Sequence, residues 1–403
     1  ASQHERSVVY AAFNNHKRGD FKPYILKSTN NGRTWKSIAS NLPQRGSVYS
    51  IAEDHVDPAL LFVGTEFGVF FTVDGGKYWK QLKTGVPTIA VRDLAIQKRE
   101  NDLVLGTFGR GFYILDDYSP LRNLNEENLA QDAAIFPIKD ALMFIESSRI
   151  GGSGKGFQGD NYFLTPNPPV AAVFTYYLKE KIEMQTEKRR QKEKELRDAG
   201  KDVSYPTLEE YRTEKQEEKP KLVFTVRDSR GNIIRRLTNS PSTGINRITW
   251  DFLYVAQGPI SEEESKSGDV EGGVPTAPGK YTVTMEKRVE GEIVELAGPV
   301  SFQTVSFGGV TLPTEDREEL AAFQRRVEAL QAAVRSANRE MEDLKNRLKH
   351  MKAAASAVAQ ENETLLQKIK DAKEKLHLLD REVRGDRLAN ELDMAAPLSV
   401  TGR

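Results

Sequence analysis

The carboxylates are the residues with the widest chemical reach in this sequence. Asp20, Glu53, Asp54, Asp57, Glu66, Asp93, Asp116 and Asp117 fall on or beside turns between short strand patterns. Cleaving a glycosidic bond takes two carboxyl groups at a set separation, one giving a proton and one acting as base or nucleophile. Nothing in the spacing pairs any two of these acids. His4, His16, His55, His350 and His377 are scattered without metal-ligand spacing. The chain holds no cysteine, which excludes disulfides, thiolate metal sites and thiol nucleophiles. No serine sits in a nucleophile-elbow sequence. Lys155 in the run GGSGKGFQG invites a phosphate-loop reading, but Gly156 stands where a Ser or Thr must hold magnesium. A surface loop is expected there. No catalytic residue, metal ligand or cofactor is therefore assigned.

A second set of residues repeats. Ser28-Thr-Asn30-Asn-Gly32-Arg-Thr34-Trp35 returns as Thr72-Val-Asp74-Gly-Gly76-Lys-Tyr78-Trp79, 44 residues later. Phe62-Val-Gly64-Thr65 returns as Val104-Leu-Gly106-Thr107, 42 residues later. A period of this size with several strands per unit is what propeller blades show. The pattern Ser/Thr-x-Asp-x-Gly-x-x-Trp has its own chemistry. The hydroxyl and carboxylate bond loop N–H groups, the glycine permits positive φ, and the tryptophan packs under the turn, between sheets. Asn30 keeps the acceptor but loses the charge. The same groups could hold calcium or a sugar. The reading adopted is a folding staple, so Ser28, Asn30, Gly32, Trp35, Thr72, Asp74, Gly76 and Trp79 are structural.

This motif resembles the Asp-box, or bacterial neuraminidase repeat, of sialidases, sortilin-type propellers and some xyloglucanases. The strings GTEFGVFFTVDGGKYW and NDLVLGTFGRGFYILDD are similar to the last blades of large bacterial sortilin-like repeat proteins. Propellers close with about 4–8 blades, and only two boxes and a third partial unit are legible. The resemblance thus implies further blades, from the same gene product or from another chain. Ala1–Arg6 carries neither an initiator methionine nor a signal-type apolar segment. A piece of something longer is expected.

The elements that must position these residues fall into regions with different periods. Residues 1–118 read as terminal propeller blades and 119–164 as a linker. Residues 165–310 read as a β-sandwich carrying a charged helical insertion at 179–220. In the sandwich, Asp228-x-x-Gly231-Asn232, Gly244-x-Asn246-x-x-x-Trp250-Asp251 and Ala277-Pro278-Gly279-x-Tyr281-x-Val283 resemble immunoglobulin-like modules of secreted bacterial proteins. Trp250 and Tyr281 could stack a sugar; a core role is the reading preferred. The strands at 170–178 and 221–227 are expected to share one sheet.

Residues 311–403 change to steps of three and four. The apolar seam runs Leu320, Phe323, Val327, Leu330, Val334, Ala337, Met341, Leu344, Leu348 and Met351, then Leu365, Ile369, Ala372, Leu376, Leu379 and Val383. This is a heptad pattern, with Thr314 as N-cap. One helix dimerising in parallel and a helical hairpin turning near 352–357 both satisfy it. The resemblance implies the hairpin, within a bundle that has a further helix.

Lysine plus arginine equals aspartate plus glutamate at 58 each. No net field favours nucleic acid or an anionic membrane surface, and no apolar run reaches the roughly 20 residues of a membrane span. The expectation is a mainly β, multi-domain protein with a C-terminal coiled-coil hairpin. It would be a non-catalytic binding or scaffolding protein, secreted, periplasmic or on the bacterial cell surface, with a protein or glycan ligand. The alternative is a glycoside hydrolase, sialidase- or xyloglucanase-like, whose catalytic blades lie outside this chain.

Overall fold

A computed structural model describes residues 1–146, 165–257, 272–307, 316–357, 363–386, 389, 391, 392 and 394. The fold is mainly β, built from several sheets, and a pair of helices lies at its C-terminal end. Lys155 and its glycine run, and the cap Thr314, lie outside the described residues.

The first ten strands make three antiparallel sheets in chain order. The first holds β1 (Val9–Asn15), β2 (Asp20–Ser28) and β3 (Lys36–Ser37). The middle sheet holds β4 (Val48–Glu53), β5 (Leu61–Thr65), β6 (Gly68–Thr72) and β7 (Lys80–Leu82). The third holds β8 (Val91–Gln97), β9 (Asp102–Thr107) and β10 (Phe112–Leu115). Neighbouring strands in sequence pair because the connections between them are short, and most carry glycine or asparagine.

The middle sheet explains its own sequence. Every residue of β5 and β6 is buried, so the run LLFVGTEFGVFFT need not alternate apolar with polar. Successive side chains point to opposite faces. Leu61, Val63 and Phe70 pack with Ile25, Ile38 and Trp79 towards the first sheet. Phe62, Val69 and Phe71 pack with Val91, Leu103 and Leu105 towards the third. Tyr118, Leu121, Leu124 and Phe136 extend the second of these cores.

Residues read as linker also join sheets. Ala133–Ile135 pairs with Ala172–Leu178, which pairs with Gly244–Trp250. Ala141–Met143 runs parallel to the end of Glu292–Ser306, in a five-stranded sheet with Gly279–Val289, Lys221–Asp228 and Ile233–Asn239. The strands 172–178 and 221–228 therefore lie in different sheets, against expectation. They still share one core, in which Phe174, Tyr176, Phe224, Trp250, Tyr281 and Phe302 are buried. Trp250 donates to the Leu253 carbonyl at 3.0 Å, and the Tyr281 hydroxyl to that of Ala277 at 2.6 Å. Both rings are filled with protein contacts on all sides and offer no face to a sugar.

The charged insertion forms two helices, Gln185–Asp198 and Leu208–Gln216, with no buried residue. Arg189 pins them together: Nε and Nη2 donate to the two Glu214 oxygens at 2.6 and 2.9 Å.

The C-terminal helices, Arg317–Ala357 and Glu363–Arg384, run antiparallel. Lys345 meets Asp380 at 3.1 Å, and Arg384 donates to the Asn338 side chain and to Glu342, each at 2.8 Å. Met341, Ala355, Ile369 and Leu376 are buried between them. The seam expectation fails over the first four turns, where Leu320, Phe323, Val327 and Leu330 are exposed and Ala321 is buried, and Leu344, Met351 and Leu379 are exposed as well. Polar contacts on a neighbouring stripe set the rotation. Arg325 stacks over Tyr254 at 4.5 Å, Glu328 accepts from the Gln257 N–H at 3.1 Å, and Arg335 donates to the Gln257 carbonyl at 3.0 Å.

Candidate functional site

The two boxes close the ends of β2 and β6. In the second, the Thr72 hydroxyl donates to Asp74 at 2.6 Å and accepts from the Gly76 N–H at 3.1 Å. Asp74 accepts from the N–H groups of Lys77 and Tyr78 at 2.8 and 3.0 Å. Burial works against the charge of Asp74, but these donors outweigh it and hold the carboxyl below its usual range. Gly76 has φ +97°, and a Cβ there would stand 2.9 Å from Ile38. Trp79 is 2% exposed and donates from Nε1 to the Ile38 carbonyl at 2.7 Å. Asn41 grips the backbone of Trp79, accepting from its N–H at 2.7 Å and donating to its carbonyl at 2.9 Å.

The first box repeats the turn. Ser28 accepts from the Gly32 N–H at 2.9 Å, and Asn30 from the Thr34 N–H at 2.8 Å. Its tryptophan does not repeat the burial. Trp35 is 43% exposed and lies beside Gly32, where an added Cβ would stand 3.4 Å from its ring, contrary to the expectation of packing between sheets. Trp79 is covered by the sheet before its own, and among the described residues no sheet precedes the one that carries Trp35.

The acids disperse. Asp54 is fully buried. Arg122 donates to it twice at 2.8 Å, Tyr118 once at 2.6 Å, and the Asp57 N–H at 2.7 Å. Burial alone would raise its pKa, but these bonds win and lower it to about 2. Asp54 thus ties the helical turn Ser119–Asn123 to the end of β4. Glu53 accepts from Ser2 and from the Gln3 N–H at 2.9 and 2.7 Å. Asp20 accepts from Tyr24 at 2.5 Å, Asp57 from the Ala59 N–H at 2.8 Å, and Asp117 from Ser119 at 2.6 Å. Asp116 is pushed upward by burial first and by nearby Asp102 second. Asp93 is exposed. Among the described residues no group of acids and histidines is arranged to hold a metal ion.

One constellation does converge. Tyr49 donates to Glu66. The Arg92 guanidinium lies 3.8 Å from the Tyr49 ring centroid and 5.1 Å from that of Phe108. Burial raises the Tyr49 hydroxyl first, and the bond to Glu66 raises it further. Arg92 and Phe108 are exposed, and Tyr49 and Glu66 partly so. The backbone explains the meeting. Strand pairing jumps between Val48 and Ser50, and again between Val91 and Asp93, so Tyr49 and Arg92 are the extra residues of two bulges. A bulge re-aims a side chain out of the pleat. Glu66 and Phe108 each follow a repeated Gly-Thr pair, and Thr65 and Thr107 brace those turns by donating to the Gly68 and Gly111 carbonyls at 2.9 and 2.6 Å. The cluster is therefore the same two repeat positions taken from two successive sheets. Sequence reasoning named Glu66 among unpaired acids and gave no role to Tyr49, Arg92 or Phe108. The 42-residue offset that relates Thr65-Glu66 to Thr107-Phe108 was the available signal.

A groove of about 1400 Å³ also runs along the edge of the first sheet, past Lys22, Tyr24, Lys36, Arg45, Asp74 and Lys77. Its Asp74 oxygen is already engaged by the box, and the groove gathers no comparable set of converging groups.

No family model matches the chain, and no curated protein matches it. Three solved structures are similar over parts of it. An ancestral GH74 enzyme is 22% identical, with TM-score 0.23, over 27% of this chain and 13% of its own. YCF48 bound to D1 peptide is 20% identical, with TM-score 0.20, over 24% of this chain and 31% of its own. The extracellular domain of the one component system BT4673 from B. thetaiotaomicron is 14% identical, with TM-score 0.20, over 70% of this chain and 28% of its own. The chain thus spans under a third of the length of each.

Proposed function

We propose that this chain is a non-catalytic binding protein of the bacterial envelope or exterior. In this reading the three N-terminal sheets are Asp-box propeller blades, and the two-sheet unit behind them is an immunoglobulin-like module. The ligand is a glycan or a protein, and it meets the blades at Tyr49, Glu66, Arg92 and Phe108. The carrying observation is the pair of bulges at Tyr49 and Arg92. Two successive sheets depart from regular pairing at equivalent positions, and both departures bring side chains to one exposed cluster.

The chemistry of that cluster suits recognition. Phe108 offers an open ring for stacking a sugar face or an apolar side chain. Arg92, held between two rings, keeps N–H donors at its rim for hydroxyl or carboxylate oxygens. Glu66 holds Tyr49 in place and retains acceptor capacity for a hydroxyl. The localisation follows from the resemblance of the boxes to those of secreted and surface proteins.

A glycan array probed with the chain, followed by calorimetric titration of the best ligand, tests this. Arg92→Ala and Phe108→Ala should each weaken binding about tenfold or more, a loss of roughly 1.4 kcal/mol. If no glycan binds, the same variants are read against a displayed peptide library. Ligands held equally well by both variants would remove the cluster from the site.

A further inference from the structure

We propose that the groove along the edge of the first sheet binds an acidic polysaccharide, one that carries carboxylate or sulfate groups on its sugars. The site is separate from the Tyr49 cluster and does not rest on the ligand reading made there.

The core behind the groove fixes its walls. On the outer edge of β2 the Ile25 carbonyl accepts from the Ile38 N–H at 3.0 Å, and the Phe21 carbonyl from the Gly46 N–H at 2.9 Å. Between these two anchors the chain leaves the sheet and lines the groove. Leu42, in the middle of that loop, is buried, and Asn41 holds the Trp79 backbone on both its N–H and its carbonyl. The turn of the second box lines the groove as well, pressed against Ile38 at Gly76. The cavity of about 1400 Å³ is therefore preformed.

Its charge departs from that of the chain, which balances 58 cations against 58 acids. Lys22 from β2, Lys36 from β3, Arg45 from the loop and Lys77 from the box turn all line the groove and are exposed. Among the described residues none of these four is in an ion pair. A further cation, Lys27, holds its ammonium 5.4 Å over the Tyr10 ring. The groove has two acids, Asp20 and Asp74. Unpaired cations set around a concave wall focus a positive field and draw anions. Because they come from four separate elements, they suit a polymer with repeated charges better than one small anion.

Three features favour a sugar polymer. An extended peptide cannot join the edge of β2 as a strand, since Pro23 has no N–H and the carbonyls of Phe21 and Ile25 are already engaged. Phe21 is 44% exposed, with the Arg45 guanidinium 6.0 Å from its ring centroid, and offers a face on which a sugar ring can stack. Asp20 accepts from Tyr24, Asn15 and the Lys22 N–H, and Asp74 from Thr72 and the N–H groups of Lys77 and Tyr78. Each carboxylate keeps acceptor capacity for a donor. Sugar hydroxyls supply donors there, whereas a phosphodiester backbone would meet both acids with like charge.

Oligogalacturonate and a heparin-type sulfated oligosaccharide, titrated calorimetrically into the full chain beside single-stranded DNA and polyglutamate of matched charge, test this. At least one of the glycans should bind more tightly than DNA and polyglutamate, and the preference between the two identifies the anionic group. The triple variant Lys22→Gln, Lys36→Gln, Lys77→Gln changes exposed side chains only. It should weaken glycan binding about tenfold or more and flatten its dependence on salt. Phe21→Ala should weaken binding about threefold or more with the salt dependence kept. The control triple Lys188→Gln, Lys192→Gln, Lys194→Gln, on the exposed first helix of the charged insertion, should stay within about twofold of wild type. Absence of glycan binding, tighter binding of DNA or polyglutamate, or an equal loss in the control triple overturns the proposal. Loss of glycan binding in Arg92→Ala with the groove triple unaffected assigns the glycan to the Tyr49 cluster and overturns it too.

Discussion

The middle and third sheets are built from the same rows of residues and meet different surroundings. In the middle sheet both faces are covered, and its glycine, aromatics and boxed tryptophan are fixed by what presses on them. In the third sheet the equivalent row Asp93, Gly106 and Phe112 is open on one side. The first sheet shows the same contrast at its other end, through exposed Trp35 and buried Trp79. A repeat sequence thus encodes contacts with its neighbours as well as its own strands.

The largest break in this comparison comes from the tryptophans. Trp79→Ala should cost about 3–5 kcal/mol, as for a buried aromatic, whereas Trp35→Ala should cost less than about 1 kcal/mol in the chain alone. Urea unfolding of the two variants, followed by circular dichroism, reads the difference. Similar costs would mean that Trp35 is covered.

The Asp54 network gives the next effect. Its carboxyl is held at about 2, against about 3.9 in an unfolded chain. A depressed folded pKa contributes stability that is present above about pH 4 and lost as pH falls through about 2, here about 2–3 kcal/mol. Stability of the wild type should fall across that window, and Asp54→Asn should flatten the fall while lowering stability at neutral pH. An unchanged slope in Asp54→Asn would show that other acids set it.

The glycines sharpen the comparison further. Gly64→Ala forces a Cβ against the Val91 backbone and should cost about 1–3 kcal/mol. Gly106→Ala should be within about 0.5 kcal/mol of wild type in the isolated chain. Equal costs, measured by denaturant midpoints, would deny that Gly64 is set by its neighbour. The smallest effect is at the boxes. Asp74→Asn should cost under about 1 kcal/mol, because asparagine still accepts the Lys77 and Tyr78 N–H groups, as Asn30 accepts that of Thr34.

Much of this was legible in the sequence because it is local. The boxes are turns closed by side chains four residues apart, and glycine and asparagine mark them. The apolar run through β5 and β6 announces a sheet covered on both faces. What stayed hidden depends on partners far along the chain. Residues 141–143 are a strand only because residues 304–306 lie beside them. The bulges at Tyr49 and Arg92 are accidents of register, invisible to a count of apolar positions. The exposed stripe at Leu320–Leu330 follows from polar contacts with Tyr254 and Gln257 that no heptad reports.

Amide hydrogen exchange in β5 and β9 tests the central claim most directly. Both strands are paired on both edges, by β4 and β6 and by β8 and β10. They differ in that a second sheet covers the open side of only one. The expected result is exchange at Leu61–Thr65 slower than at Asp102–Thr107 by about tenfold or more in the isolated chain. Equal protection of the two, or greater protection of β9, would contradict the view that the middle sheet is enclosed and the third one open.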